Sequence, residues 1–195
     1  MNLTKNILNF GLFMSRREYK VINRRLQRGR EFSVSEGKFV GNITPFGYKK
    51  IKLNNSKGYS LAINEQESFI VKEIFRLYAY ENNSINSVAR QLNNMNLKPR
   101  IANEWSISSV KDVLANPTYI GKIVWNRRKS KKSTKNGKVI ISRPRNPDYL
   151  IYDGLHEPII DIDTWNIVQE KRKQNIPKVV HNNIIQNPLV RFSVL

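Results

Sequence analysis

The residues of this chain best placed to do chemistry are its cations. Between residues 113 and 147 stand ten Lys or Arg and not one Asp or Glu, with the densest run at 127–136, RRKSKKSTKN. Ammonium and guanidinium groups set this close repel one another unless an anion lies among them, so the natural partner is a polyanion. The chain of 195 residues carries 34 Lys and Arg against 15 Asp and Glu, a formal net charge of +19. Catalytic chemistry has no comparable grouping. Cysteine is absent, which excludes disulfides and thiolate zinc sites. His156 and His181 lie far apart without metal-ligand spacing to nearby carboxylates, and each reads as a structural or surface histidine. The late carboxylates Asp148, Asp153, Glu157, Asp161 and Asp163 read as loop charges or helix caps. There is no Walker-type phosphate loop, and neither histidine singles out an activated serine. No metal or cofactor is expected, and no enzymatic activity from these residues alone.

The elements that must position the cations fall in residues 84–125. Ile85, Val88, Ala89, Leu92 and Met95 recur at helical spacing and predict one buried helix face. Ser84 suits the N-cap, where a hydroxyl accepts from an orphaned first-turn N–H. A second helix opens at Ser106, with Trp105 before the cap and Val110 four residues after it in a hydrophobic-staple arrangement. Ile107, Val110 and Leu114 form its expected buried stripe, so Ser108, Ser109, Lys111 and Asp112 project elsewhere. Asn116-Pro117 ends it, because the residue before proline is steered out of the α region. Two capped helices followed by a basic strand fit a helix-turn-helix or winged-helix reader of DNA, or any small helical domain. In the first reading Ser106, Ser108, Ser109 and Lys111 are the candidate base-reading residues. Residues 119–125 and 139–141 are expected to pair as a ribbon whose tip is the basic loop. Lys122, Arg127, Arg128, Lys129, Lys131 and Lys132 would then touch phosphates, adding affinity and salt dependence with little sequence information.

The remaining stretches frame this region. Residues 3–28 predict a helix ended by Gly29, with a basic stripe at Arg16, Lys20, Arg24 and Arg28 and an apolar seam at Tyr19, Ile22 and Leu26. That seam suits either an outside partner, self-association through this helix included, or packing back onto its own domain. Residues 30–47 hold three glycines and a proline and predict an extended linker. Arg28, Arg30 and Lys38 would contact a minor groove along it, with a merely solvated linker as the alternative. A hairpin is expected from 48–53 and 59–63, then a core helix over 65–80 opened by a capping box of Asn64 and Glu67. A loop from His156 leads to a helix capped at Asp161 or Asp163, and an Asn-rich tail follows from 175. The expected fold class is α+β: a small helical domain with a helix-turn-helix or winged-helix-like core, a β-hairpin and a basic β-ribbon, preceded by a long helix. No apolar run reaches the roughly 18–20 residues needed to span a bilayer, and MNLTKNILNFGLFM lacks a cleavage site. A cytoplasmic location without a membrane partner is therefore expected.

Several groups of residues also fall in a familiar order. They are Glu18-Tyr19-Lys20, Arg24-Arg25 and Gly29; then Gly37, Gly41 and Pro45-Phe46-Gly47-Tyr48; then Asn64-Glu65-Gln66-Glu67, Ile70-Val71, Ile74-Phe75 and Tyr78. Ser87-Val88-Ala89, Leu92-Asn93, Trp105-Ser106, Ser109-Val110, Leu114, Asn116-Pro117 and Tyr119-Ile120-Gly121-Lys122 form the most specific part, and His156-Glu157-Pro158-Ile159-Ile160 closes the series. In these the chain resembles the large serine recombinases, the phage integrases and transposon recombinases that cut and rejoin DNA through a serine. The resemblance implies the end of a long connecting helix at 1–29 and an extended linker at 30–47. It implies a DNA-binding recombinase domain at 48–155, and at 156–195 a helix with the lead-in to a zinc ribbon. It further implies a domain seated on the major groove of duplex DNA at an attachment-site half, with the linker along the adjacent minor groove. The family's catalytic domain, with its nucleophilic serine, has no match here, and no cysteine follows Asn187-Pro188-Leu189-Val190. A fragment or remnant that binds DNA without recombining it by itself is the expectation. A winged-helix transcriptional regulator, dimeric on a palindrome, and a basic RNA-binding protein are the alternatives.

Overall fold

The structure, a computed structural model, describes residues 3–175 other than 82, 129 and 136; side chains are described from Met14 onward, 15 and 16 excepted. Lys129, His181 and the segment 187–190 thus fall outside the described residues, as do the side chain of Arg16 and the tail beyond 175.

The fold is α+β. A long helix α1 (Leu3–Ser35) leads through a linker to the hairpin β1 (Tyr48–Lys52) and β2 (Tyr59–Ile63). Helices α2 (Glu65–Ala79), α3 (Ile85–Asn94) and α4 (Ile107–Leu114) follow, then a 3₁₀ turn at Pro117–Ile120. Strands β3 (Lys122–Trp125), β4 (Lys131–Lys135), β5 (Lys138–Ser142) and β6 (Leu150–Asp153) precede the last described helix, α5 (Ile162–Gln174). The strands form three antiparallel pairs, β1 with β2, β3 with β6 and β4 with β5.

The core lies where α2, α3 and α4 meet. α2 buries Ile70, Val71, Ile74, Phe75, Leu77 and Tyr78, the wide apolar face its sequence predicts. α3 adds Val88, Ala89 and Leu92, and α4 adds Val110, Val113 and Leu114. Tyr48, Trp105, Tyr119, Ile159, Ile160 and Val168 complete the cluster. The core therefore continues past residue 155. α5 packs on α2, and its polar side chains close two helix ends: Lys171 Nζ donates to the Tyr78 carbonyl at 2.8 Å, and Gln169 Nε2 to that of Leu114 at 2.9 Å. Such bonds satisfy the C-terminal carbonyls that a helix leaves without internal partners.

Ser84 caps α3 by accepting from the Ser87 N–H at 3.1 Å, and Asp161, not Asp163, caps α5 by accepting from Thr164 N–H at 2.7 Å. Other expectations are corrected. α1 runs through Gly29 to Ser35, because Val34, fully buried, anchors a further turn and a half. Its stop is Gly37 at φ +75°, whose N–H reaches the Val34 carbonyl at 2.9 Å. The linker thus begins near residue 36 rather than 30. Met95 and Ile107, expected in buried faces, are half exposed; Leu97 packs against the core in the loop after α3, and Val113 fills the face of α4. Tyr119 belongs to the 3₁₀ turn instead of a strand. β3 pairs with β6, not with residues 139–141; those pair with the basic stretch, which is itself β4.

Glu67 does not close a capping box. Asn64 occupies the N-cap position without a side-chain bond, while the Glu67 carboxylate accepts from the Gly47 N–H at 2.9 Å and from Arg100. Arg100 in turn donates to the Thr44 carbonyl at 3.2 Å, Thr44 Oγ1 at 3.0 Å and the Tyr48 carbonyl at 3.1 Å. Burial opposes ionisation of Glu67, but the bonds from Arg100 and Gly47 and the guanidinium charge outweigh it and hold the carboxyl below its usual range. One guanidinium so fastens the loop after α3 to α2 and to the end of the linker. Arg100→Met should lower stability by about 1.5–3 kcal/mol, the range for hydrogen bonds to charged groups. Glu67→Gln added to it should cost little more, both read as shifts in denaturant midpoint.

His156 is buried, its Nε2 donating to the Thr118 carbonyl at 2.9 Å, while Nδ1 has no hydrogen-bond partner. Burial pushes its pKa below the ordinary value, only partly opposed by the Thr118 carbonyl. The unfolded chain then takes up a proton near pH ~6.5 that the folded chain resists, so stability present above that pH is lost as the solution is acidified through it. The melting temperature should fall between about pH 7.5 and 5.5, before the carboxylates titrate, and His156→Gln should flatten that decline.

Candidate nucleic-acid interface

At the start of α4 the serines are committed to the helix itself. Ser106 Oγ accepts from the Ser109 N–H at 3.1 Å, and Ser109 Oγ accepts from the Ser106 N–H at 2.9 Å. This is a capping box with serine in place of the usual Glu or Gln. Ser108 and Lys111 are exposed and, among the described residues, neither side chain makes a hydrogen bond or ion pair; Asp112 is also exposed. Of the four candidate readers, then, two build the helix N-terminus and two are free to meet a ligand. The loop from α3 to α4 is closed by Asn93, whose amide donates to the Trp105 carbonyl at 3.1 Å and whose Oδ1 accepts from the Trp105 N–H at 2.8 Å. The Trp105 indole N–H donates to the Leu97 carbonyl at 2.8 Å, and its ring meets Phe46 edge-on at 5.2 Å. α4 is therefore presented at a fixed angle despite the long loop before it.

The basic stretch follows α4 and the 3₁₀ turn along the chain. Lys122, at the start of β3, is paired with Asp153 across the strand at 2.5 Å. Asn126 takes a left-handed conformation at φ +59°. Asn146, buried, donates from its side chain to the Asn126 carbonyl at 3.0 Å and from its N–H to the Arg127 carbonyl at 2.9 Å. This bracket fixes the root of the ribbon and sets Arg128 opposite Arg145. Beyond it, Lys131 and Lys132 stand exposed on β4. Arg172 lies nearby, donating to the Leu114 carbonyl at 3.3 Å and to Gln169. Burial lowers its pKa, Tyr78 opposes that, and the charges of Arg127 and Arg145 lower it further. Arg127, Arg145 and Arg172 press on one another here.

The expected linker arm is divided. Arg28 and Arg30 are exposed on α1, so they lie on a rigid helix rather than an extended chain. Lys38 does lie in the linker, but its ammonium pairs with Glu36 at 2.9 Å. A cleft of about 450 Å³ separates α1 from the ribbon root, lined by Gln27, Glu31, Trp125, Asn126, Ser130 and Lys131. Sequence reasoning left out Lys135 and Lys138, which face each other at the far end of the ribbon, and Arg145 and Arg172. Asn136-Gly137 between the two lysines is a strong hairpin signal that could have found the first pair. Nothing local marked Arg172. Among the described residues no group of His, Cys, Asp or Glu is arranged to hold a metal ion.

Comparison with known proteins agrees with this architecture. Residues 65–175, from the start of α2 to the end of α5, match the family model named Recombinase. The fold is similar to that of a protein solved as an LSR–DNA complex, at 22% identity and a TM-score of 0.54, over 77% of this chain and 39% of that one. It is also similar to a protein solved in work on the sequence requirements of the Listeria innocua prophage attP site, at 22% identity and a TM-score of 0.52, over 77% of this chain and 52% of that one. The chain thus spans about half or less of those proteins, and at such identity the likeness is one of fold. The family match covers more than half of the sequence and agrees with the resemblance to large serine recombinases: the chain belongs to the Recombinase family.

Proposed function

We propose that the chain binds duplex DNA sequence-specifically, as the recombinase domain of a site-specific serine recombinase that integrates or excises a mobile element. The observation that carries this reading is the succession, along the chain, of α4, whose exposed Ser108 and Lys111 are unengaged, and a ribbon bearing cations and no carboxylate. α2, α3 and α4 meet around one core, and β3–β6 follows α4 as a two-stranded wing would, which supports a winged-helix arrangement with α4 as reader. Arg127, Arg128, Lys129, Lys131 and Lys132 then act on phosphates and set affinity; Ser108 and Lys111 act on base edges. Ser106 and Ser109 orient the helix, and the first-turn N–H groups of α4 favour a phosphate nearby. On α1, Arg28 and Arg30 track the backbone before the linker crosses a groove. The chain's part in recombination is binding and positioning, while strand cleavage by a serine is done by a catalytic domain. A cytoplasmic setting follows from such a role.

Fluorescence anisotropy with a mixed-sequence duplex tests this. Log affinity should fall with log salt by about 0.9 for each phosphate contacted, measured between roughly 50 and 200 mM. Absent or salt-independent binding would refute it, and stronger binding to structured RNA in competition would favour an RNA-binding protein instead. Arg127→Gln with Arg128→Gln should weaken all duplexes alike and reduce the salt slope by about 2. Ser108→Ala with Lys111→Ala should instead alter the ranking among duplexes. Equal losses on every sequence would remove α4 as the reader.

A further inference from the structure

The β4–β5 ribbon has little to hold it beyond its own strand pairing. Its strands pair from Lys131↔Ser142 to Lys135↔Lys138, yet all ten strand residues are exposed. Val139, Ile140 and Ile141 are exposed, with Val139 66% exposed. A two-stranded hairpin without a covering layer is marginally stable in water. This one is further weakened by like charges set directly opposite each other, Lys135 against Lys138 and, at the root, Arg128 against Arg145. No Asp or Glu between residues 113 and 147 offsets them.

The register divides the ribbon into two unlike faces. Lys132, Thr134, Val139 and Ile141 share one; Lys131, Ser133, Lys135, Lys138, Ile140 and Ser142 share the other. A methyl-rich face backed by lysines fits a duplex groove, with base edges and thymine methyls at its floor and phosphates along its walls. The major groove is wide enough to admit a two-stranded ribbon. A second copy of the same ribbon would bring cations against cations.

We propose that the β4–β5 ribbon is a second DNA-contacting arm, separate from α4, which docks in a groove of the duplex and takes up its fixed fold only there. The proposal rests on the reading that the chain binds duplex DNA. Phosphates then relieve the opposed Lys and Arg pairs, and the groove floor covers Val139 and Ile141. The ordering of the ribbon is coupled to binding.

Hydrogen–deuterium exchange of the whole chain, free and with a saturating mixed-sequence duplex, tests it, with binding followed by anisotropy in the same samples. In the free chain the amides of 131–135 and 138–142 should exchange at least about 100-fold faster than those of α2, and the duplex should slow them by about tenfold or more. Val139→Ser with Ile141→Ser should weaken duplex affinity roughly tenfold while leaving the salt slope unchanged. A ribbon as protected as α2 in the free chain overturns the proposal. So does duplex binding that leaves ribbon exchange unaltered, or equal protection by phosphatidylserine vesicles or by raised protein concentration. Failure of the duplex to bind at all would instead overturn the DNA-binding reading beneath it.

Discussion

The constraint on which the rest of the structure depends is the burial of Tyr119. Asn116-Pro117 turns the chain out of α4, and the 3₁₀ turn that follows drives this ring into the core, stacked on Tyr48 at 6.1 Å and edge-on to Phe75 at 5.9 Å. Its hydroxyl donates to the Phe46 carbonyl at 2.9 Å, and its own carbonyl accepts from the N–H groups of Ile159 and Ile160, each at 3.0 Å. One residue so joins the linker, the first hairpin, α2 and the segment leading to α5. Burial, reinforced by the neighbouring Tyr48 and Glu67, raises its pKa, so the ring remains a neutral donor. Because α4 ends just before this turn and β3 begins just after it, the anchor ties the end of α4 to the start of β3.

Around that anchor the molecule separates two kinds of polar chemistry. Where it must hold itself together, charges are paired: Arg100 with Glu67, Arg76 with Glu73 and Glu81, Lys122 with Asp153. Where the ribbon leaves the core, cations are left to repel one another, as Arg127, Arg145 and Arg172 do. Stability alone gives no reason for such an arrangement, since exposed like charges lower it. A polyanionic partner, as proposed above, supplies one.

Local rules made some of this legible in the sequence and not the rest. Caps at Ser84, Ser106 and Asp161 and the apolar face of α2 are short-range features. Each was readable because its partners lie within a few residues. Errors arose where distant contacts competed. Gly29 stays helical because α1 continues to the buried Val34, and Glu67 abandons its local cap for Arg100, 33 residues away. Strand pairing failed for the same reason: residues 139–141 were the nearest apolar partner for β3, whereas the true one, β6, begins at Leu150. At the interface the sequence exposed the cations but not their neighbours. Sequence alone does not distinguish Ser106 and Ser109, which bond each other, from Ser108, nor show that Glu36 pairs with Lys38 and Asp153 with Lys122.

The central claim is that this fold recognises particular duplex sequences rather than negative charge in general. Enrichment of bound DNA from a pool of randomised duplexes, at a salt concentration high enough to suppress non-specific binding, measures that directly. The account predicts convergence on one motif within a few rounds, with contacts in the major groove. A pool that remains unbiased while binding persists would contradict it.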